Sequence, residues 1–293
     1  HEISNAVFEQ VTGTRGAFTS QILYVVAEYM NPERTNFRLE KADYDGQRAQ
    51  ILLESVEPIM SPSWSPTGRD VAYVSFETDL PRIYIQNIAT GDRRQITNYP
   101  NLNSSPEWSP DGTKLAMVLS KDGSPDIYVQ DLTTNELIRV TDHPLIDTEP
   151  SWTADSRSIV FMSERTGQPQ IYQIELGASS FNVERLTYEC FQCLNAKFMP
   201  DGVNLVHVRR ETRQDPNYQI AVLNIETLRV ITLTNTSLDE SPSIAPNGSM
   251  VMYATKFNGR GVLDAVSIDG AVRFRLPSTQ GDVREPAWSP FLN

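Results

Sequence analysis

The sequence predicts an all-β fold, a six-bladed β-propeller in which each blade contains four strands. A phrase of the form Pro-x-Trp-Ser-Pro-x-Gly recurs with increasing changes, and its copies begin at Pro62, Pro106, Pro150, Ala196, Pro242 and Pro286. The aromatic or apolar anchors of these copies are Trp64, Trp108, Trp152, Phe198, Ile244 and Trp288. Their spacings are 44, 44, 46, 46 and 44 residues. A fixed period of roughly 40 to 50 residues is typical of a four-stranded propeller blade, so six anchors indicate six blades.

Composition narrows the possible partners. The chain has 293 residues, a formal net charge of −12 and a pI of about 4.8. An acidic surface repels phosphate backbones, so nucleic acid is not an expected partner. The sequence has no apolar run of about 18 residues, so no membrane insertion is predicted. The chain begins at His1 without an initiator Met or a signal peptide, and we expect a processed or trimmed product.

Residues 1–13 are predicted to form a linker helix, and residues 14–293 the propeller. Five positions fall near helical spacing and would form one mostly apolar stripe along the helix: Ile3, Ala6, Val7, Gln10 and Val11. Gly13 is expected to end the helix. We expect the stripe to dock on the propeller. A chain that opens on such a helix looks like a domain cut at a linker.

The strands follow from aligning the repeats. Gln21–Ala27 matches Asp70–Phe76, and both are predicted to be second strands of a blade. The last repeat supplies a first strand within Trp288–Asn293, so the two ends of the chain should complete one blade and close the ring. In the second repeat the four predicted strands are Glu107–Ser109, Leu115–Leu119, Ile127–Leu132 and Leu137–Thr141. Outer strands are predicted to end at Thr97, Thr141, Thr187 and Thr234.

Antiparallel strands place alternate turns on opposite faces of the propeller. The Pro-Asp-Gly turns lie on one face. The other face carries the second-to-third strand turns and the loops that lead into each Pro-x-Trp phrase. Because long loops on a rigid scaffold commonly carry binding, we expect the binding site on this second face.

Motifs for catalysis are missing from the sequence. There are three histidines, and neither H-E-x-x-H nor G-x-S-x-G occurs. His143 and His207 are interpreted as structural residues, and Asp43–Gly46 as a β-turn rather than a calcium loop. Cys190 and Cys193 form a C-x-x-C that is either a pair of free thiols or a local disulfide. An oxidising compartment favours the disulfide.

The position three residues before each anchor always carries a side-chain oxygen. These six residues, which we call the oxygen ring, are Ser61, Ser105, Glu149, Asn195, Ser241 and Glu285. They should surround one end of the central channel, with Glu149 and Glu285 facing each other from blades three apart. Oxygen donors suit Ca²⁺ or Mg²⁺, so a channel Ca²⁺ is one interpretation, although no cofactor is required. The other is a channel of ordered waters.

Peripheral turns of the same face are rich in basic residues. This predicted basic rim consists of Arg34, Lys121, Arg165, Arg209, Arg210, Arg213, Lys256 and Arg260. An acidic centre inside a basic rim could orient a protein partner. Ordinary solvated turn residues would give the same pattern.

At this point the sequence resembles the TolB family, the periplasmic β-propellers with WD40-like repeats of the Tol–Pal system. The resemblance covers essentially the whole chain and rests on the opening H-E-I-S-N-A-V-F-E-Q-V-T-G, on A-D-Y-D-G, and on P-I-M-S-P-S-W-S-P-T-G. It continues in T-E-P-S-W, L-D-E-S-P-S-I-A-P-N-G and E-P-A-W-S-P-F-L. The departures are Cys190, Cys193 and Phe198 in the fourth blade, and the extended turn Arg209–Asn217.

The resemblance implies a non-catalytic docking protein of the periplasm. It implies binding of Pal, the peptidoglycan-associated lipoprotein, and of colicin segments that mimic it. It also implies contact with TolA through an N-terminal region outside this sequence, and roles in outer-membrane integrity and cell division. Matched onto this chain, the predicted partner-binding residues are Asn103, Asp147, Glu149, Asp239, Glu240, Arg284 and Glu285.

Two other function classes remain open at this stage. Similar propellers regulate access to the active site of prolyl-oligopeptidase-like peptidases, so the chain could be the regulatory propeller of such an enzyme. A carbohydrate-binding propeller of the envelope is a third interpretation, although few aromatic residues can be assigned to the loop face.

Overall fold

The computed structural model describes residues 1–31, 34–177, 182–236, 238–277 and 280–292. In these ranges one helix is followed by 24 strands, which form six four-stranded antiparallel sheets. The predicted all-β, six-bladed propeller is therefore confirmed. Within the same ranges, none of the helical structure is long and apolar enough to cross a membrane.

The elements are bounded as follows. The helix α1 spans Glu2–Thr12. Blade one contains β4 Ile59–Trp64, β5 Asp70–Ser75, β6 Arg82–Asn87 and β7 Arg93–Gln95. Blade two contains β8 Asn103–Trp108, β9 Lys114–Leu119, β10 Asp126–Asp131 and β11 Leu137–Arg139. Blade three contains β12 Asp147–Trp152, β13 Ser158–Ser163, β14 Gln170–Glu175 and β15 Val183–Arg185. Blade four contains β16 Gln192–Phe198, β17 Asn204–Arg210, β18 Gln219–Asn224 and β19 Val230–Thr232. Blade five contains β20 Glu240–Ile244, β21 Met250–Phe257, β22 Arg260–Ser267 and β23 Arg273–Arg275. Blade six contains β24 Asp282–Trp288, β1 Gln21–Asn31, β2 Arg34–Asp43 and β3 Gln50–Ser55.

The two ends of the chain share blade six, as predicted. Strand β24 pairs with β1, with Ile22 opposite Trp288 and Ala27 opposite Asp282. The Trp288 indole N–H donates to Ser20 Oγ at 2.7 Å, which ties the C-terminal strand to the segment that precedes β1. This closure leaves the ring of blades without an open edge between its ends.

The innermost strands start earlier than the sequence predicted. The prediction of Glu107–Ser109 was wrong, because β8 spans Asn103–Trp108. The prediction of a strand after Trp288 was also wrong, since Trp288 ends β24; Asn293 lies outside the described residues. In both blades the anchor Trp closes the strand instead of opening it. A bulge and a proline interrupt the alternating pattern upstream of the anchor, which hid the first half of each strand.

The outer strands are extended by threonine side chains. The hydroxyls of Thr97 and Thr141 accept hydrogen bonds from the backbone N–H groups of Ile83 and Ile127, at 3.0 and 2.9 Å. Thr187 and Thr234 make the same bond, each at 2.9 Å. By hydrogen-bond pattern the outer strand of blade two ends at Arg139, two residues before the predicted Thr141. The threonine then replaces the missing backbone partner, which explains its recurrence.

The hydrophobic core lies between neighbouring blades. Second strands are the most deeply buried, and every residue of β13 is buried because both faces of its sheet are covered. The anchors join the blades: the Trp64 indole N–H donates to the carbonyl of Ala287, and that of Trp152 to the carbonyl of Glu107, each at 3.0 Å. Trp64 and Trp152 therefore each bind the innermost strand of the preceding blade, whereas the Trp108 indole N–H has no hydrogen-bond partner among the described residues.

The N-terminal helix forms, but its apolar stripe does not dock as predicted. Ile3, Val7 and Val11 are all exposed. The helix is held instead by Asn5, which accepts a hydrogen bond from the Phe18 N–H at 2.8 Å, and by an edge-to-face contact between Phe8 and Phe18. The prediction was wrong because these two residues fix the rotation of the helix and turn the stripe away from the propeller.

Candidate functional site

The oxygen ring surrounds a cavity at one end of the central channel. The cavity has a volume of about 220 Å³, and it is lined by all six ring residues and by the prolines that follow five of them. The ring residues are Ser61, Ser105, Glu149, Asn195, Ser241 and Glu285. The six innermost strands thus bring together side chains that lie 44 or 46 residues apart in the sequence. We call this cavity the channel mouth.

A strained backbone conformation builds the ring. All six residues have a positive φ, between 49° and 55°, and none is glycine. Each lies within a shift of register between the first and second strands of its blade. A left-handed non-glycine residue costs of order 1 kcal/mol, and such strain persists only where the surrounding structure enforces it. Its sixfold repetition indicates that the strained turn serves to aim these residues at the channel.

The two ring carboxylates bind the backbone of the next blade. Glu149 Oε2 accepts a hydrogen bond from the Asn195 N–H at 2.6 Å, and Glu285 accepts the equivalent bond from the Ser61 N–H. Because blades three and six lie opposite each other, the two bonds are arranged with approximate twofold symmetry. Burial raises the pKa of both Glu149 and Glu285, although the backbone N–H groups act in the opposite direction. Both side chains remain partly accessible from the channel, while protein surrounds them on the other sides.

An ion pair between blades two and four narrows the channel below the mouth. Lys197 Nζ lies 2.9 Å from Glu107 Oε1, and Ser63 Oγ lies 3.3 Å from the other oxygen of Glu107. Below this pair is a second chamber of about 500 Å³, lined by the anchor residues of all six blades. The ion pair lines both cavities, so it forms the waist between them.

Three of the predicted partner-binding residues are buried where the lead-in loops meet the innermost strands. Asp147 binds the Arg165 guanidinium through both oxygens, at 3.2 and 2.9 Å. Asp239 accepts hydrogen bonds from Thr234 and Thr236, and the Asn103 amide donates to the Tyr99 carbonyl at 2.9 Å. All three are fully buried. Their visible role is to hold the loops that lead into blades two, three and five.

Comparison with known proteins identifies the architecture at the family level. The model of the TolB beta propeller domain matches residues 8–292. The chain is 58% identical to the Tol-Pal system protein TolB of Pseudomonas aeruginosa over 295 aligned residues, which cover 100% of the chain and 67% of that protein. The chain belongs to the TolB β-propeller family.

Solved structures agree with this assignment. The crystal structure of TolB from Acinetobacter baumannii superposes with a TM-score of 0.92 at 43% identity, over 99% of this chain and 72% of that one. A puromycin-hydrolysing peptidase of Mycobacterium tuberculosis superposes with a TM-score of 0.57 at 16% identity, over 87% of this chain and 46% of that one. At that identity the likeness to the peptidase shows the fold alone.

The basic rim of this TolB-family propeller is less uniform than predicted. Arg34, Arg213, Lys256 and Arg260 are exposed. Arg209 was wrongly assigned to the exposed rim, because it lies within β17 and is buried. Arg165 is committed to Asp147, and it lies over the rings of Phe161 and Tyr172. Arg165 therefore neutralises Asp147, while the exposed residues of the rim remain accessible to a partner.

The ring offers oxygen ligands but an incomplete cation site. Ca²⁺ takes six to eight oxygens, commonly with several carboxylates. The TolB-family ring supplies two carboxylates, one amide and three hydroxyls, and both carboxylates already bind backbone N–H groups. A channel cation would use Glu149 and Glu285 together with waters, and it remains a prediction.

Sequence reasoning missed the left-handed conformation of the ring, although the proline that follows five of the six ring residues was a usable signal. It did single out residues of the layer just before the ring, which includes the exposed Glu240 and the partly exposed Arg284. Predicted partner-binding residues therefore fall into accessible ones, here Glu240 and Arg284, and buried supports such as Asp147.

The fourth blade contains a disulfide. Cys190 and Cys193 are bonded, which was the favoured interpretation of the C-x-x-C. Nearby His207 is fully buried, and burial lowers its pKa to about 4, so its imidazole is neutral near neutral pH. The predicted turn at Asp43–Gly46 is also present, with the Gly46 N–H donating to the Asp43 carbonyl at 2.8 Å.

Proposed function

We propose that this chain is a non-catalytic docking propeller of the Tol–Pal system, which works in the periplasm and binds Pal through the channel mouth. The observation that carries the proposal is the ring of six left-handed residues with Glu149 and Glu285 at opposite sides. Support comes from the family, whose members are named as Tol-Pal system proteins.

The chemistry of the mouth defines what the partner should present. The two ring carboxylates lie in a polar cavity of about 220 Å³, which suits a narrow loop or chain segment carrying N–H donors or a cation. Glu240 and Arg284 stand just outside the ring and would contact the flanks of such a segment. Asn103, Asp147 and Asp239 would act indirectly, since each holds a lead-in loop in place.

Calorimetric titration with purified Pal tests the proposal. Wild-type protein should bind, and the double variant Glu149→Gln/Glu285→Gln should bind at least tenfold more weakly while it remains folded. The matched control is Glu136→Gln/Glu226→Gln, which removes two exposed carboxylates from turns on the opposite face. Absence of binding by wild type, or equal weakening in both double variants, would contradict the proposal.

Further partners follow from the same site. Colicin segments that mimic Pal should compete with it for the channel mouth, and TolA contact would require an N-terminal region outside this sequence. A role in outer-membrane integrity and cell division follows if Pal is the partner. Repeating the Pal titration with Ca²⁺ and with a chelator would reveal whether a channel cation participates, because an ion held by Glu149 and Glu285 must change the affinity.

A further inference from the structure

The disulfide of blade four lies in a polar cluster that the docking function does not use. Cys193 occupies the buried position two residues before the ring, where blades three and five have Asp147 and Asp239. Cys193 is fully buried, and Cys190 is 9% exposed. Glu189 directly precedes the pair, and its Oε1 lies 3.8 Å from Cys193 Sγ. Two sulfurs and one carboxylate therefore meet within a few ångströms, and all three ligand atoms lie within 4.8 Å of one another.

A buried histidine faces the same carboxylate. His207 lies on β17, is 0% exposed, and its Nε2 is 3.6 Å from Glu189 Oε1, outside hydrogen-bond range. This Nε2 has no hydrogen-bond partner. The other ring nitrogen, Nδ1, lies 3.5 Å from the Leu205 carbonyl. A carbonyl can only accept, so this contact favours the tautomer with the proton on Nδ1, which leaves Nε2, the nitrogen nearer Glu189, unprotonated.

This arrangement resembles that of a metal-binding histidine. Such a histidine usually donates its non-ligating N–H to a carbonyl or carboxylate, which orients the ring and leaves the other nitrogen free for the metal. Tetrahedral zinc has bonds of about 2.3 Å to sulfur and about 2.0–2.1 Å to nitrogen and oxygen, so its ligand atoms are separated by roughly 3.3–3.8 Å. The contacts from Glu189 to His207 and to Cys193, 3.6 and 3.8 Å, fall close to these separations. His207 is not among the three residues whose ligand atoms all lie within 4.8 Å of one another, so the thiol side chains must rotate towards the imidazole once the S–S bond is broken.

We propose that reduction of the Cys190–Cys193 disulfide converts this cluster into a zinc site with the ligands Cys190, Cys193, Glu189 and His207. The disulfide itself withholds both sulfurs from a metal, because the thiolate is the ligand form. A dithiol reductant attacks one sulfur, forms a mixed disulfide, and leaves as its own disulfide once its second thiol attacks. Two electrons and two protons thus pass to the cysteines. Zinc then displaces both thiol protons and completes a set of two sulfurs, one nitrogen and one oxygen.

The position of the site connects it to the channel mouth. Cys193 is two residues from Asn195, whose backbone N–H is bound by Glu149. The loop that carries the disulfide also presents the exposed Tyr188 on the mouth face. Formation of the zinc site would therefore depend on the redox state of the compartment and would change the structure next to the binding surface. Whether the site exists can be tested without any protein partner.

Cobalt spectroscopy provides the test, since thiolate-to-cobalt charge transfer distinguishes a cysteine site from the oxygen ring. Co²⁺ is added to the intact chain, either oxidised or reduced by a dithiol that is then removed under anaerobic conditions. Reduced protein should develop the near-ultraviolet thiolate band and tetrahedral visible bands, and equimolar Zn²⁺ should abolish them. Oxidised protein and the Cys190→Ser/Cys193→Ser variant should show neither.

Ligand assignments are tested with matched variants of the reduced chain. His207→Gln and Glu189→Gln should each weaken Co²⁺ binding at least tenfold, whereas Glu211→Gln, at an exposed carboxylate near the same loop, should leave it unchanged. Zinc should also raise the melting temperature of the reduced wild type and not that of the oxidised protein. The proposal is overturned if folded reduced protein shows no thiolate band. It is equally overturned if His207→Gln binds as wild type, or if reduced protein stays unfolded with zinc present.

Discussion

At the scale of single residues, the two ring glutamates should lower the stability of the fold at neutral pH. Burial raises the pKa of Glu149 and Glu285 above the value in an unfolded chain. The folded protein then binds their protons more tightly than the unfolded chain does. Their contribution to stability is fully present below about pH 4.5 and is lost as the pH rises through the folded pKa values. As the pH rises towards 7 this contribution declines, and burying the two carboxyl groups becomes increasingly unfavourable.

Replacing both ring glutamates by glutamine should therefore stabilise the propeller at pH 7. The glutamine carbonyl can still accept the backbone hydrogen bonds, while the buried charge is removed. We expect a gain in the free energy of unfolding at pH 7, because the neutral amide pays no penalty for burying a charge. Urea denaturation at pH 7 and at pH 4 measures it, and the gain should shrink at the lower pH. A loss of stability at pH 7 would contradict this account.

His207 should make the fold sensitive to acid in the opposite sense. Burial lowers its pKa to about 4, from an ordinary value near 6.5, so the unfolded chain takes up the proton first. Its contribution to stability is present above about pH 6.5 and is lost as the pH falls towards 4, by up to about 1.4 kcal/mol per unit. Denaturation of the oxidised protein between pH 4 and 7 should show a smaller acid loss for His207→Gln than for wild type. Parallel curves would show that His207 does not titrate on unfolding.

The oxygen ring shows how much of a site a repeat alignment can predict. Aligning the anchors placed all six oxygens at one level of the channel, because equivalent positions of successive repeats lie at equivalent places in successive blades around the axis. The alignment did not separate accessible from buried acids. Asp147 and Glu240 both precede a ring residue closely, yet Asp147 is fully buried against Arg165 and Glu240 is exposed. That difference depends on strand pleat and on partners distant in sequence, which the local pattern does not contain.

At the scale of elements, second strands were predictable and innermost strands were not. The second strands are continuous apolar runs, so their pattern survives burial on both faces. Gln21–Ala27 falls inside β1, and Asp70–Phe76 exceeds β5 by a single residue. The innermost strands combine polar ring residues, a bulge and proline, which are signals typical of a turn. Their strand character comes from pairing with the second strand, which a local pattern cannot show.

The N-terminal helix should tolerate polar substitutions on its outward face. Ile3→Ser/Val7→Ser should change the free energy of unfolding by less than about 0.5 kcal/mol, because both side chains are exposed. Asn5→Ala should have the larger effect, about 1–2 kcal/mol, since it leaves the Phe18 N–H and Thr19 without this partner. Urea denaturation compares the two. A greater loss of stability in the serine variant would contradict this account and support docking of the apolar stripe on the propeller.

At the scale of the whole molecule, stability depends on the closure of blade six. Gly281 leads into β24 with a φ of 106°, and an added Cβ would lie 2.7 Å from the Ala27 carbonyl oxygen. Gly123, in a turn of blade two with a φ of 126°, has open space around the same position. Both alanine variants carry backbone strain, and only Gly281→Ala obstructs the pairing of the chain ends.

Gly281→Ala should therefore destabilise the fold by at least 1 kcal/mol more than Gly123→Ala, because backbone atoms cannot move aside as a flexible side chain can. Urea denaturation gives the difference, and amide exchange should locate the added opening in β1 and β24. Equal losses, or exchange spread evenly over the six blades, would show that closure is not the weak point of the ring.

The waist formed by Glu107 and Lys197 also limits how far anything can reach into the propeller from the channel mouth. Ring and waist are two strand residues apart, a depth of about 7 Å at 3.3–3.4 Å per residue. A guest chain entering from the mouth can place only about two extended residues below the ring before it meets the ion pair. A guest that reaches deeper must pass or displace this pair, so we expect specificity to come mainly from the tip of the guest and from the loops around the opening.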